Sequence, residues 1–299
     1  MADDLLEHCA QLSEVNYTNF VFSLLLFIGI LISYLPQHVR IISRQSSYGI
    51  SPYFVLLGTT SGTCAFANIL VLPASRADMA CCEQVAAFPC FAGLLGISQV
   101  GMQWSCFCLI LFLFVLYFPR NSTTSDPETD PTAPTFRTAL IVAAICIVHA
   151  LATIIISLVF TVSAQSHLQA WANFLGILST ILASIQYFPQ IFTTYKLKRV
   201  GSLSIPMMCI QTPGSFIWSA SLAARLGPSG WSAWGVYLVT GCLQGVVLVM
   251  GSWFEIVHRR KERALAEEEE DSSRRQGNGI AREPGSRGDR DETTPLLRS

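Results

Sequence analysis

Ile32-Ser33-Tyr34-Leu35-Pro36-Gln37 and Ile185-Gln186-Tyr187-Phe188-Pro189-Gln190 are one phrase written twice, with Tyr34 and Tyr187 153 residues apart. Each copy closes a long apolar run, and the register holds beyond it: Ser51 aligns with Ser204 and Thr59 with Thr212. A short basic loop follows each copy, with Arg40 and Arg44 after the first and Lys196, Lys198 and Arg199 after the second. A span-plus-loop unit repeated within one apolar chain points to a duplicated helical bundle in a membrane.

Composition supports the membrane. Only 13% of the chain is charged, against about 25% in an average soluble protein. The charges are also segregated: from Val15 to Phe254 the only acids are Asp78, Glu83, Asp126, Glu128 and Asp130. Charge-free runs cover 15–39, 45–75, 84–119, 138–195, 200–224 and 226–254, and each exceeds the roughly 20 residues a helix needs to cross a bilayer. The run at 138–195 is long enough for two spans, with a polar break at 163–169. Seven transmembrane helices follow. Basic residues set the orientation. With the N-terminus in the lumen, the cytosolic segments hold Arg40, Arg44, Arg120, Arg137, Lys196, Lys198, Arg199, Arg259, Arg260, Lys261 and Arg263, and the lumenal ones only Arg76 and Arg225. The first run lacks a basic leader and is preceded by Asp3, Asp4, Glu7 and Glu14, so a retained first span is expected rather than a cleaved signal.

The expected fold is all-α: two parallel three-helix bundles joined by a connector helix, a 3+1+3 arrangement. Residues 1–16 form a lumenal N-terminus. Residues 17–118 hold the first three-helix repeat, with spans near 17–37, 50–72 and within 88–118 and a loop at 73–87. A cytosolic linker (119–136) and the connector (137–162) follow. The second repeat occupies 170–255, with spans near 170–194, 203–224 and 232–255. Residues 256–299, rich in Arg, Glu, Gly and Ser, read as a disordered cytosolic tail. Among the cysteines, Cys9, Cys81, Cys82 and Cys90 fall on the lumenal side, where one disulfide among them is expected. The rest fall in spans as packing residues.

Tyr34-Leu35-Pro36-Gln37 with Tyr48-Gly49-Ile50-Ser51-Pro52, and Tyr187-Phe188-Pro189-Gln190 with Gly201-Ser202-Leu203-Ser204-Ile205-Pro206, resemble the PQ-loop repeat family of seven-helix membrane proteins. The resemblance covers about residues 18–255. That family includes cystinosin-like and cationic-amino-acid exporters of lysosomes and vacuoles, with the sugar facilitators as more distant relatives. The resemblance implies a substrate path between two three-helix bundles, with the paired prolines as hinges. The chain departs from the lysosomal exporters in one respect: no Asp or Glu lies inside a span, and Glu255 stands at the very end of the last one. Proton coupling and a cationic substrate are therefore not expected.

Pro36 and Pro189 each remove a backbone hydrogen bond and kink a helix, so with Gln37 and Gln190 they are the candidate hinge or gate. The glutamines are placed to bond carbonyls that the prolines release. An alternative is that each proline merely ends its helix. Substrate-binding candidates are the polar groups inside spans: Tyr34, Asn68, Gln99, Gln103, Asn173, Tyr187, Gln211 and Gln244. Gln99 and Gln103, four apart, share one helix face. Singly, such groups serve as interhelical hydrogen-bond glue; together they suit a neutral or zwitterionic solute. Trp104 and Trp218 are candidate packing surfaces, and His149 in the connector is a candidate proton relay. No catalytic, phosphate-binding or metal pattern is present in the sequence, so no enzyme activity, cofactor, metal or nucleic-acid partner is expected. Glu292-Thr293-Thr294-Pro295-Leu296-Leu297 fits an acidic-dileucine sorting signal, with Glu292, Leu296 and Leu297 reading out to a clathrin-adaptor complex. The expected function is a carrier of a small polar solute, an amino acid first and a sugar second, in a vacuolar or lysosomal-type membrane. The rival is a non-transporting membrane protein that regulates trafficking, lipid distribution or glycan-lipid use.

Overall fold

A backbone crossing lipid must pair its own N–H and C=O groups, and a helix does so locally. The computed structural model describes residues 2–47, 50–118, 135–198 and 205–280; the side chains at 2–5, 189, 190, 193, 197, 206, 207 and 268–280 lie outside that description. Among the described residues the regular elements are all helical: α1 (Ala2–Ser13), α2 (Tyr17–Arg44), α3 (Pro52–Val71), α4 (Pro73–Cys81), α5 (Ala87–Leu116), α6 (Phe136–Ser163), α7 (Leu168–Leu197), α8 (Ile205–Leu226) and α9 (Trp231–Ile280), with short 3-10 turns before α7 and α9. Six stretches are long and apolar enough to cross a bilayer: Tyr17–Arg44, Pro52–Val71, Ala87–Leu116, Phe136–Ser163, Gln165–Phe188 and Pro228–Glu267. α8, at 22 residues, has the length of a span, but Gln211, Pro213 and Arg225 dilute its apolar content. The chain is an all-α integral membrane protein.

The duplication is visible in the helix ends. α2 ends at Arg44 and α7 at Leu197, the same offset that separates the two Pro-Gln pairs. Each is closed by a left-handed residue, Gln45 (φ 44°) and Lys198 (φ 49°), again at matching positions. Asn16 starts α2 by accepting hydrogen bonds from the backbone N–H groups of Thr18 (3.1 Å) and Asn19 (3.2 Å), as an N-cap should. Proline stands at the first position of α3 and of α4, where its missing N–H costs nothing.

Three readings differ from the sequence expectation. First, Pro36 does not end its helix. It lies inside α2, which continues through a full basic turn, so the alternative of a simple terminator is set aside for the first copy. Second, residues 1–16 and 73–87 are not plain loops. α1 carries Leu5, Cys9 and Leu12 at helical spacing, and together with α4 it packs on the start of α5. Two disulfides fasten this cap, Cys9–Cys81 and Cys82–Cys90, where one was expected. Third, α9 runs on to Ile280 across residues 256–280, read above as tail. This stretch is rich in good helix formers such as Lys261, Arg263, Ala264, Leu265 and Ala266. It is also laced by i, i+4 pairs: Arg259 with Glu255 at 2.8 Å and His258 with Glu262 at 3.1 Å.

α3 packs against α5, α6 and α7, while α2 packs against α5 and touches α8. The main core cluster follows this arrangement, with Ile69, Leu72, Leu175 and Leu222 among its most buried members.

Candidate functional site

The two motif tyrosines lie one residue pair ahead of each Pro-Gln, so helical geometry aims them at equivalent places in the two halves. Each meets a glutamine from a later helix of its own half. Gln103 of α5 donates through Nε2 to the Tyr34 hydroxyl at 3.4 Å. Gln244 of α9 donates through Nε2 to the Tyr187 hydroxyl at 2.7 Å. Gln244 is further oriented by Ser215 of α8, whose hydroxyl donates to Oε1 at 3.1 Å. Tyr34 of α2 and Tyr237 of α9 also pack in the same core cluster. The Tyr34 ring also meets Phe107 edge-on, with centroids 5.4 Å apart.

Trp218 of α8 stacks on Tyr237 of α9 with centroids 3.9 Å apart. Both are buried, and the Trp218 Nε1 and Tyr237 hydroxyl have no hydrogen-bond partner, nor does the hydroxyl of Thr212. Buried polar groups are normally paired. This side of the interior thus offers unused donors to a group that brings acceptors. Among the described residues no Asp, Glu, Lys or Arg joins the cluster, so binding there rests on hydrogen bonds and ring faces, not on ion pairs.

The other sequence candidates lie elsewhere. Asn68, fully buried, donates through Nδ2 to the Ala172 carbonyl and to Ser232 Oγ, the latter at 3.1 Å; it ties α3 to α7 and α9. Gln99, also buried, donates to the Ser23 carbonyl at 2.7 Å and ties α5 to α2. These two serve as interhelical glue. Asn173 accepts from Gln169 at 3.1 Å in the first turns of α7, away from the tyrosines. The Gln211 side chain makes no hydrogen bond among the described residues; its backbone carbonyl accepts from Ser215 at 2.8 Å. Gln37, half-buried, likewise bonds none of the carbonyls that Pro36 leaves open. Instead the next residue, His38, is buried against the Cys106 carbonyl at 3.1 Å. The side chains of Pro189 and Gln190 lie outside the described residues, as do Glu292, Leu296 and Leu297. Trp104 donates to Thr63 Oγ1 at 3.1 Å and stacks on Phe66. His149 contacts Cys64 Sγ at 3.3 Å and lines a shallow apolar groove with Ile145 and Val148 on α6, not the tyrosine cluster.

Sequence reasoning missed Tyr237 and Ser215. Tyr237, Gly241 and Gln244 fall at helical spacing on one face of α9, and that pattern was the available signal.

Residues 18–77 and 171–238 each match the model of the PQ loop repeat. Over 273 residues the chain is 32% identical to the uncharacterized protein C4C5.03 of Schizosaccharomyces pombe, covering 89% of this chain and 88% of that one. Among solved structures, a eukaryotic SWEET transporter aligns with a TM-score of 0.43 at 13% identity, over 80% of this chain and 99% of the other. Both repeat matches contain a Pro-Gln pair and the tyrosine before it. With its two repeats and its transmembrane helices, this chain belongs to the PQ-loop repeat family of integral membrane proteins.

Proposed function

We propose that the protein is a carrier that moves a small polar solute without net charge across an endomembrane by alternating access. The observation that carries this reading is the matched pair of tyrosine–glutamine contacts, one in each half, with no charged side chain bonded to either among the described residues. A solute held between two equivalent sets of neutral groups can be released to either face as the halves rock, with α2, α3 and α5 moving against α7, α8 and α9. α6 is the connector. Pro36 and Pro189 are the hinge positions. Amino acids in zwitterionic form are the first substrate class, and sugars the second. The disulfides of the cap support an oxidising compartment on the N-terminal side, and the basic segments support a cytosolic opposite side. The dileucine tail supports a vacuolar or lysosomal-type address.

Uptake into proteoliposomes, screened over amino acids and sugars with and without a pH gradient, tests the reading. Saturable uptake of one class is expected, weakly dependent on pH. It should fall with Gln244→Leu more than with Gln103→Leu, because the 2.7 Å contact to Tyr187 is the tighter of the two and Gln244 is held from a second side. Absence of uptake for every class would favour the rival, a membrane protein that regulates rather than transports.

A further inference from the structure

At the N-terminal face the last turn of α8 is fastened to α5 by a single side chain. The Arg225 guanidinium donates through Nη1 to the Gly93 carbonyl at 2.9 Å and through Nη2 to the Ala92 carbonyl. These carbonyls belong to the first half of the duplicated chain, and Arg225 to the second. The backbone allows the approach because α5 is bare there. A Cβ at Gly96 would come within 3.3 Å of Leu222 and 3.4 Å of Arg225, and one at Gly93 within 2.9 Å of Leu12 of α1. α1 and α8 therefore seat on one glycine face of α5.

The cap supplies the counter-charge. Asp78 of α4 acts electrostatically on Arg225 and is held by His8 of α1, Nε2 to Oδ1 at 2.7 Å. α1 in turn is fixed to α4 by Cys9–Cys81. Farther along α8, nothing lies within 4 Å of a Cβ placed at Gly214. An arginine fork is a strong, directional tie, and here it links α8 to α5 across the seam between the two halves.

We propose that Arg225 is a clasp that holds the two halves shut at the N-terminal face, with Asp78, positioned by the disulfide-fastened cap, as its abutment. The proposal rests on the carrier reading, in which this seam must part for solute to pass. Arg225 is a positioning residue: it touches the opposite half, not the tyrosine cluster.

Hydrogen–deuterium exchange of the full chain in lipid nanodiscs, with no solute present, tests it. Arg225→Gln is expected to speed exchange about tenfold or more at amides 92–97 and 221–230, while 104–116 stays at the wild-type rate. Arg225→Lys, which keeps the charge but not the fork, should fall between. Asp78→Asn should raise exchange at the same amides by less. Wild-type rates in Arg225→Gln overturn the clasp. A rise spread evenly over the chain also overturns it, since Arg225 then only supports the fold. So do wild-type rates at 221–230 in Asp78→Asn. Failure of the wild-type protein to move any solute would defeat the carrier reading and leave these exchange rates where they are.

Discussion

Two of the contact lines between the halves are made equivalent by the repeat, and they are built differently. Shifting by the repeat offset turns α2 into α7 and α3 into α8, so it exchanges the α3–α7 seam for the α2–α8 seam. The first is closed. Ser61 Oγ donates to the Ser179 carbonyl and Ser179 Oγ to the Ser61 carbonyl, both at 2.9 Å, and Asn68 adds its bonds to Ala172 and Ser232. In the second seam the counterparts of Ser61 and Ser179 are Gly214 and Leu26, and the glycine faces open space. On the carrier reading proposed above, the first line would serve as a pivot and the second as the line that opens.

The strongest way to break the comparison is to wedge the closed seam. Ser179, fully buried, replaced by Leu would overpack the contact, at about 1–3 kcal/mol, and remove the hydrogen bond from its hydroxyl to the Ser61 carbonyl, at about 0.5–1.5 kcal/mol more. A lower melting temperature in detergent and poor recovery of folded protein are expected; a wild-type melt would show that the serine pair is ornamental. Next comes the hinge. Pro36→Leu restores a backbone hydrogen bond inside α2 and should lower uptake about tenfold, about 1.4 kcal/mol in rate, with the protein still folded. Undiminished uptake by the proteoliposome assay would leave Pro36 without a mechanical role.

Filling the open seam should do little to stability. Gly214→Ala has room for the methyl group, and alanine favours the helix over glycine by about 0.8–1 kcal/mol. Melting is expected to hold or rise slightly, and a marked drop would mean the seam is tighter than the other. The smallest effect concerns Asp78, which faces His8 from α1 and Arg225 from α8. Burial holds its carboxyl above the usual value, partly offset by the hydrogen bond and charge of His8 and by Arg225. A carboxyl raised by folding contributes stability that is full below the unfolded value of about 3.9 and is lost as pH rises through the folded value. Acidification toward the unfolded value should thus stabilise the wild type relative to Asp78→Asn; the opposite sign in paired melts would show that the partners of Asp78 outweigh its burial.

How much of this was legible in the sequence depends on what each feature is made of. The spans and the repeat are written in charge-free runs and a repeated phrase: six helices are long and apolar enough to cross a bilayer, against the seven expected, and both repeat matches contain the phrase. The tyrosine–glutamine contacts were half legible. All four residues stand out as polar groups in apolar runs, but nothing in one sequence says which glutamine meets which tyrosine. Asn68 and Gln99 carry the same signal and turn out to be glue, because burial between helices is a property of three dimensions. The cap escaped because α1 and α4 are short and mixed in polarity, and their stability comes from disulfides and packing on α5 rather than from periodicity. Arg225 counted only as one lumenal charge among two; its partners are backbone carbonyls, which leave no mark on a sequence. The unequal seams were invisible for a related reason: Gly214 looks like any small residue until its neighbours are placed.

The Cys9–Cys81 bond has a consequence for biogenesis. It joins chain on either side of α2 and α3, so it can close only after both helices have entered the bilayer and returned the thread to the side it started from. Cys82–Cys90 adds the entry to α5 on that same side. An oxidoreductase in that compartment would therefore act as an inspector, sealing only those nascent chains whose first two crossings were threaded correctly.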